Sequence, residues 1–185
     1  MESKDTDRRA YGRILDRMRM LCSRREYSSA EMFRKISSSL ARSCPEMEEE
    51  EIARLAAEAV SSLVADRYVD DARYACAFAR DKAVISGWGR VKIRRSLAVK
   101  GLGKDIIEDA LAAVDLHESS DKMEKVLMTK FRSLSSSLSR KSGKDSSGKL
   151  PMKQDLKIRL LRFAAGRGYG YEEAAPVVER LISGI

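Results

Sequence analysis

Few side chains in this sequence are equipped for catalysis, and their spacing does not assemble a reaction centre. His117 is the only histidine among 185 residues, so any Ser–His or Cys–His pair would have to be built on it. It follows Leu116 near the end of a helical run, where the helix dipole favours a surface imidazole. Asp70 and Asp71 are adjacent and open a helix, which reads as an N-cap and a first-turn acid rather than a metal or acid pair. Cys22, Cys44 and Cys76 are odd in number and lack Cys-x-x-Cys spacing, so reduced core thiols are expected, not a disulfide framework or zinc site. No Gly-x-x-x-x-Gly-Lys-Ser/Thr loop is present. Gly166-x-Gly168-x-Gly170 lacks the preceding strand of a dinucleotide fold and reads as a helix break. No catalytic residue, metal or cofactor is expected, and the chain is not expected to be an enzyme.

Charge is the stronger signal. Against 28 acids stand 36 Lys and Arg, a net +8 with a pI near 9.5, which points to a polyanionic partner such as nucleic acid. Residues 72–104 hold Arg73, Arg80, Lys82, Arg90, Lys92, Arg94, Arg95, Lys100 and Lys104 against the single acid Asp81. Residues 46–58 are acidic instead, with four consecutive Glu from Glu48. In a helix starting near Arg90, at about 100° per residue, Ile93 and Leu97 mark the core side. Lys92, Arg95 and Val99 then point outward. Arg90 and Arg94 flank the core edge, where they face either a partner or Asp70 and Asp71. Trp88, between two glycines, suits either stacking on a base or packing in the protein.

The elements that would position these residues are helices. Only three prolines occur, and 43 % of residues are hydrophobic. Apolar spacing predicts helices near 7–24, 28–43, 47–65 and 70–85. Further helices are expected near 90–100, 104–117, 123–134, 152–165 and 171–182. Ser28 with Glu31 forms a capping box, Cys44-Pro45 ends a helix, and Gly101 suits a left-handed helix end. The third helix should bury Ile52, Leu55, Ala59, Leu63 and Val64, and the fourth Val84 or Ile85. Pro176 lies inside the last run, where it should kink the helix or leave a carbonyl unsatisfied. Residues 133–149, rich in Ser, Gly and Lys, read as a flexible connector.

The pattern recurs in threes. Tyr27, Met32 and Ile36 match Trp88, Ile93 and Leu97 under a shift of about 61 residues, and Gly101, Leu102 and Gly103 match Gly168, Tyr169 and Gly170 under about 67. Three three-helix repeats are expected, over 11–69, 70–116 and 117–185, stacking into an elongated, curved all-α protein. The polar start of the chain is not a secretory signal, and no apolar run would span a bilayer, so a cytoplasmic protein is expected.

Asp70-Asp71-Ala72-Arg73-Tyr74-Ala75, Phe78, Arg80, the run Gly87-Trp88-Gly89-Arg90-Val91-Lys92-Ile93, Leu97 and Lys100-Gly101-Leu102 resemble the central signature of RecX proteins. Residues 21–36 resemble the first repeat of that family, and Leu160 to Glu173 the third. Gly166-Arg167-Gly168 supplies one Arg where the third repeat usually has a basic pair, and the Ser-rich insert is unusual. The resemblance implies three tandem three-helix repeats and a non-enzymatic regulator; separately, a monomer is expected. It further implies binding to RecA filaments on DNA and inhibition of RecA ATPase and strand exchange. Arg73, Arg80, Lys82, Arg90, Lys92, Arg94, Arg95, Lys100 and Arg167 are then the candidate contacts to DNA phosphates or to RecA. The alternatives are a stand-alone helical DNA-binding protein, using the helix near Arg90 as a groove reader, and a scaffold for an unrelated protein. Reversing the outward charges, Lys92→Glu with Arg95→Glu, should weaken filament binding in a co-sedimentation assay and leave helicity and melting unchanged.

Overall fold

The computed structural model describes residues 2–141 and 149–184, and among them every regular element is helical. The helices are α1 (Glu2–Cys22), α2 (Ser29–Ser43), α3 (Glu49–Ala65), α4 (Asp71–Arg80), α5 (Arg90–Val99), α6 (Lys104–Ala112), α7 (Leu116–Lys141), α8 (Lys149–Arg167) and α9 (Tyr171–Ser183). A π-helical turn, Asp81–Ile85, continues α4. The chain divides into two compact units, Met1–Ala75 with Leu97–Ile107, and Cys76–Ser96 with Glu108–Ile185.

The first unit is built on α1, α2 and α3. Met18, Met32, Ile36, Leu40, Ala56 and Leu63 fill its centre, with Tyr27 and Val69 sealing the ends. The Ser28 hydroxyl accepts the Glu31 N–H at 3.2 Å, so the predicted cap forms. Cys44 terminates α2, its N–H bonded to the Leu40 carbonyl, ahead of Pro45. The α3 stripe is shifted from expectation: Ala56 is buried, Ile52 and Leu55 are half-buried, and Val64 is exposed. Against α1 and α2, a small Ala permits close helix approach, and Val64 falls on the far side of the turn.

The second unit packs α7, α8 and α9 around Met123, Leu127, Leu160, Ala164, Tyr169 and Val178. Helix α7 runs through Lys141, so residues 133–141 are helical rather than connector; 142–148 lie outside the described residues. Leu134 packs against the core, which holds this serine-rich stretch helical, and the Ser136 and Ser137 hydroxyls donate to the Arg132 and Leu134 carbonyls of the same helix. Pro176 sits within α9 on its exposed side, so the carbonyl it leaves unbonded faces solvent and the helix continues through it. His117 lies in the first turn of α7, not at the end of the preceding helix. Asp115 caps this helix by accepting the Glu118 N–H at 2.9 Å. Of the cysteines only Cys44 is buried; Cys22 is half-buried and Cys76 exposed, which corrects the expectation of three core thiols.

The closest approach in the second unit is between backbones. A Cβ on Gly89 would lie 2.1 Å from the Gly168 carbonyl oxygen, and one on Gly168 would lie 2.4 Å from Lys92 Cβ. Gly168 also has φ +86°, a left-handed conformation that side chains resist. Gly89→Ala should therefore lower Tm by several degrees, since a backbone clash cannot relax by side-chain rotation. Gly12→Ala, in open space within α1, should instead stabilise by about 0.5–1 kcal/mol from helix propensity. Thermal melts followed by circular dichroism check both.

Candidate nucleic-acid interface

The π-helical turn creates the local geometry around Trp88. The Ser86 N–H bonds back to the Asp81 carbonyl at 3.1 Å, which inserts an extra residue into the helix. That rotation buries Ala83 and leaves Val84 half-buried and Ile85 68 % exposed, against the prediction that one of the latter two faces the core. Gly87 then turns at φ +62°, and the Trp88 N–H bonds to the Lys82 carbonyl at 2.8 Å. The indole is half-buried and edge-on to Phe78, with ring centroids 6.4 Å apart.

Two ammonium groups sit over the Trp88 ring, Lys92 Nζ at 4.3 Å and Lys82 Nζ at 5.1 Å. Each such contact contributes about 0.5–1 kcal/mol at an exposed site. Arg167 joins them from the end of α8: its Nη1 donates to the Ser86 carbonyl at 2.8 Å, and its guanidinium lies 5.4 Å from the Phe163 ring. Three of the nine candidate residues, Lys82, Lys92 and Arg167, thus converge on one turn. Arg80 and Arg95 are exposed in the same unit and make no ion pair with a described residue. Lys92 is not fully outward as predicted, because its backbone abuts Gly168 and its amine lies on the indole.

The remaining candidates are engaged within the protein. Arg94 forms a two-pronged pair with Glu108, Nε–Oε1 at 2.6 Å and Nη2–Oε2 at 2.9 Å. Arg90 Nη1 donates to the Leu111 carbonyl at 3.0 Å, satisfying one of the open carbonyls at the end of α6. Neither pairs with Asp70 or Asp71. Asp70 caps α4 by accepting the Arg73 N–H at 2.9 Å, and Asp71 accepts the Ser29 N–H at 2.8 Å. In the first unit, Arg73 Nε binds Glu26 at 2.6 Å and Lys100 Nζ binds Glu31 at 2.6 Å. The Glu31–Lys100 pair is 18 % and 27 % exposed, and Lys100 also lies 5.6 Å over the Tyr74 ring. Burial raises the Glu31 carboxyl, but hydrogen bonds from Lys100 and the Ser28 amide, with the charges of Lys100 and Arg25, hold it below its ordinary value.

Sequence reasoning missed the repeated geometry of the basic residue ahead of each helix-end glycine. Lys100 precedes Gly101 and Arg167 precedes Gly168, with φ +87° and +86°. Both ends close alike, Leu102 N–H to Leu97 O at 3.3 Å and Tyr169 N–H to Ala164 O at 3.1 Å. A Cβ on Gly101 would lie 3.0 Å from Ala30 Cβ in the first turn of α2, as one on Gly168 meets Lys92 in the first turn of α5. The 67-residue shift was the available signal.

These features define an all-helical repeat protein with a basic, aromatic-bearing surface. Among the described residues no group of three or more His, Cys, Asp or Glu could hold a metal ion, and no helix is long and apolar enough to cross a membrane. Residues 70–111 match the second three-helix domain of RecX. The chain is 28 % identical over 173 residues to a regulatory protein RecX of Cronobacter sakazakii, covering 90 % of each. It is 32 % identical over 126 residues to one of Clostridium botulinum, covering 68 % of this chain and 53 % of that protein. The chain spans about half the length of the clostridial and streptococcal relatives it matches. A crystal structure of RecX from Lactobacillus salivarius has the same fold, with TM-score 0.61 and 17 % identity over 96 % of this chain and 97 % of that one. Another crystal structure, of regulatory protein RecX, gives TM-score 0.67 and 18 % identity over 96 % and 74 %. In sequence and in fold the chain is similar to RecX regulatory proteins.

Because the folded pKa of Glu31 is depressed, its pair with Lys100 stabilises the protein above the unfolded carboxylate pKa. That contribution disappears as pH falls through the folded value. The Tm difference between wild type and Lys100→Met should therefore be full near neutral pH and shrink in acid, in a differential scanning series.

Proposed function

We propose that this protein is a non-enzymatic regulator that binds RecA filaments on DNA and inhibits RecA ATPase and strand exchange, in the cytoplasm. The observation that carries the reading is the Trp88 turn. It falls within the matched RecX domain and presents an indole under two lysines, with Arg167 beside it. An aromatic ring that holds cations in place suits a nucleoprotein surface, because their donors stay available to phosphates or acidic side chains. Arg80 and Arg95 add charge not committed to an internal ion pair with a described residue. Arg73, Arg90, Arg94 and Lys100 serve the fold first in this reading. The three-repeat organisation over 11–69, 70–116 and 117–185, and action as a monomer, belong to the same proposal.

Hydrolysis of ATP by RecA on single-stranded DNA, with this protein at substoichiometric and equimolar ratios, tests the reading. Inhibition is expected at concentrations too low to coat naked DNA. The double variant Lys82→Glu with Lys92→Glu should relieve it at least tenfold in concentration while retaining wild-type helicity. Unchanged hydrolysis despite tight binding to naked DNA would replace this reading with a stand-alone DNA binder. No effect in either assay would leave a scaffold role.

A further inference from the structure

A second basic surface lies in the first unit, outside the window that dominates the sequence. A groove of about 510 Å³ runs between α1 and α2, lined by Arg17, Arg25, Arg34, Lys35 and Arg42. All five are exposed, and none makes an ion pair with a carboxylate among the described residues. Glu31 is the one acid in the lining, and Lys100 already neutralises it at 2.6 Å. Lys35 and Arg25 also lie over the Tyr27 ring, at 5.5 and 4.1 Å. Tyr27 occupies in α2's approach the place that Trp88 occupies before α5, so a cation-flanked aromatic recurs.

We infer that this groove binds the phosphate backbone of single-stranded nucleic acid. Arg34, Ser38 and Arg42 recur every four residues, placing a row of donors along one face of α2. At 1.5 Å rise per residue the row is about 12 Å long, enough for successive phosphates of an extended strand. Helices packed with axes about 8–10 Å apart leave a furrow that follows one line of phosphates, so the row of donors is matched to a single backbone strand. The lining also argues against a protein occupant. Protein interfaces place aromatic and apolar anchors at their centre, whereas here only Met18 and Leu21 supply apolar surface and cations dominate. Cations without a carboxylate partner among the described residues match a sequence-independent phosphate contact.

The inference deepens the nucleic-acid half of the proposed function and rests on it, but adds a site in a different unit. The test is fluorescence anisotropy of labelled oligothymidylate with the full chain, across a salt series, for wild type and Arg34→Gln with Arg42→Gln. Both residues are exposed, so melting should not change. The variant should bind about tenfold more weakly at low salt. Its slope of log K against log salt should flatten by about 1.4, from about 0.7 per lost phosphate contact on a single strand. Wild-type affinity and slope in the variant would overturn the groove assignment. If that variant also lost its effect on RecA hydrolysis, the groove would belong to an acidic protein surface, and the regulator reading would stand without it. If wild type bound oligothymidylate through the groove but left RecA hydrolysis unchanged, the groove would stand and the regulator reading would fall.

Discussion

The second unit depends on a contact between two stretches of bare backbone. The N–H groups of Gly89 and Val91, at the open start of α5, donate to the carbonyls of Arg167 and Gly168, at the end of α8, at 2.9 and 3.2 Å. Helix starts leave donors unpaired and helix ends leave acceptors unpaired, so each end satisfies the other. Their dipoles also meet head to tail. No side chain can stand between them, which fixes glycine at 89 and 168. Everything chemically distinctive in this unit is arranged on that junction: the Trp88 turn precedes it, Lys92 sits upon it, and Arg167 reaches across it.

The same logic explains how basic residues are divided between structure and function. A guanidinium near open carbonyls or a carboxylate is drawn into the fold, as Arg90 and Arg94 are by the end of α6 and by Glu108. Lys100 is likewise held by Glu31. Cations on a π-face keep their hydrogen-bonding capacity, because the ring attracts the charge without occupying its donors. Lys82 and Lys92 thus remain able to bind an anion while being positioned. Charge density in the sequence therefore overstates the number of contacts, and ring contacts identify which cations are held ready.

Much of the architecture is legible in the residues. Helical periodicity, the Ser28–Glu31 box, the Asp70 cap and the Gly101 terminus all act through local geometry, and each is present. What failed did so where the backbone left regular helical geometry or where packing overrode composition. Periodicity assumes 3.6 residues per turn, and the π-helical turn at Asp81–Ile85 breaks that assumption and exposes Ile85. Composition marked residues 133–141 as linker, yet Leu134 has a core to join and the serines bond to their own helix. The groove on α1 and α2 escaped notice because its five cations are spread over 26 residues and two helices. Only the packing of those helices lines them up on one surface.

By itself the sequence determined the helical class, the repeat, most helix ends and the cationic character, because these follow from spacing, capping and charge within a few residues. The RecX resemblance was legible for the same reason: its signature is a short contiguous run from Asp70 to Leu102. Tertiary structure alone decided which cations are committed and which are offered. That choice depends on groups far apart in the chain, such as Arg167 with Ser86 or Lys100 with Glu31, coming within hydrogen-bonding distance. Hydrogen bonds and ion pairs act over a few ångströms, so a one-dimensional pattern can name the charges, but only folding assigns their partners.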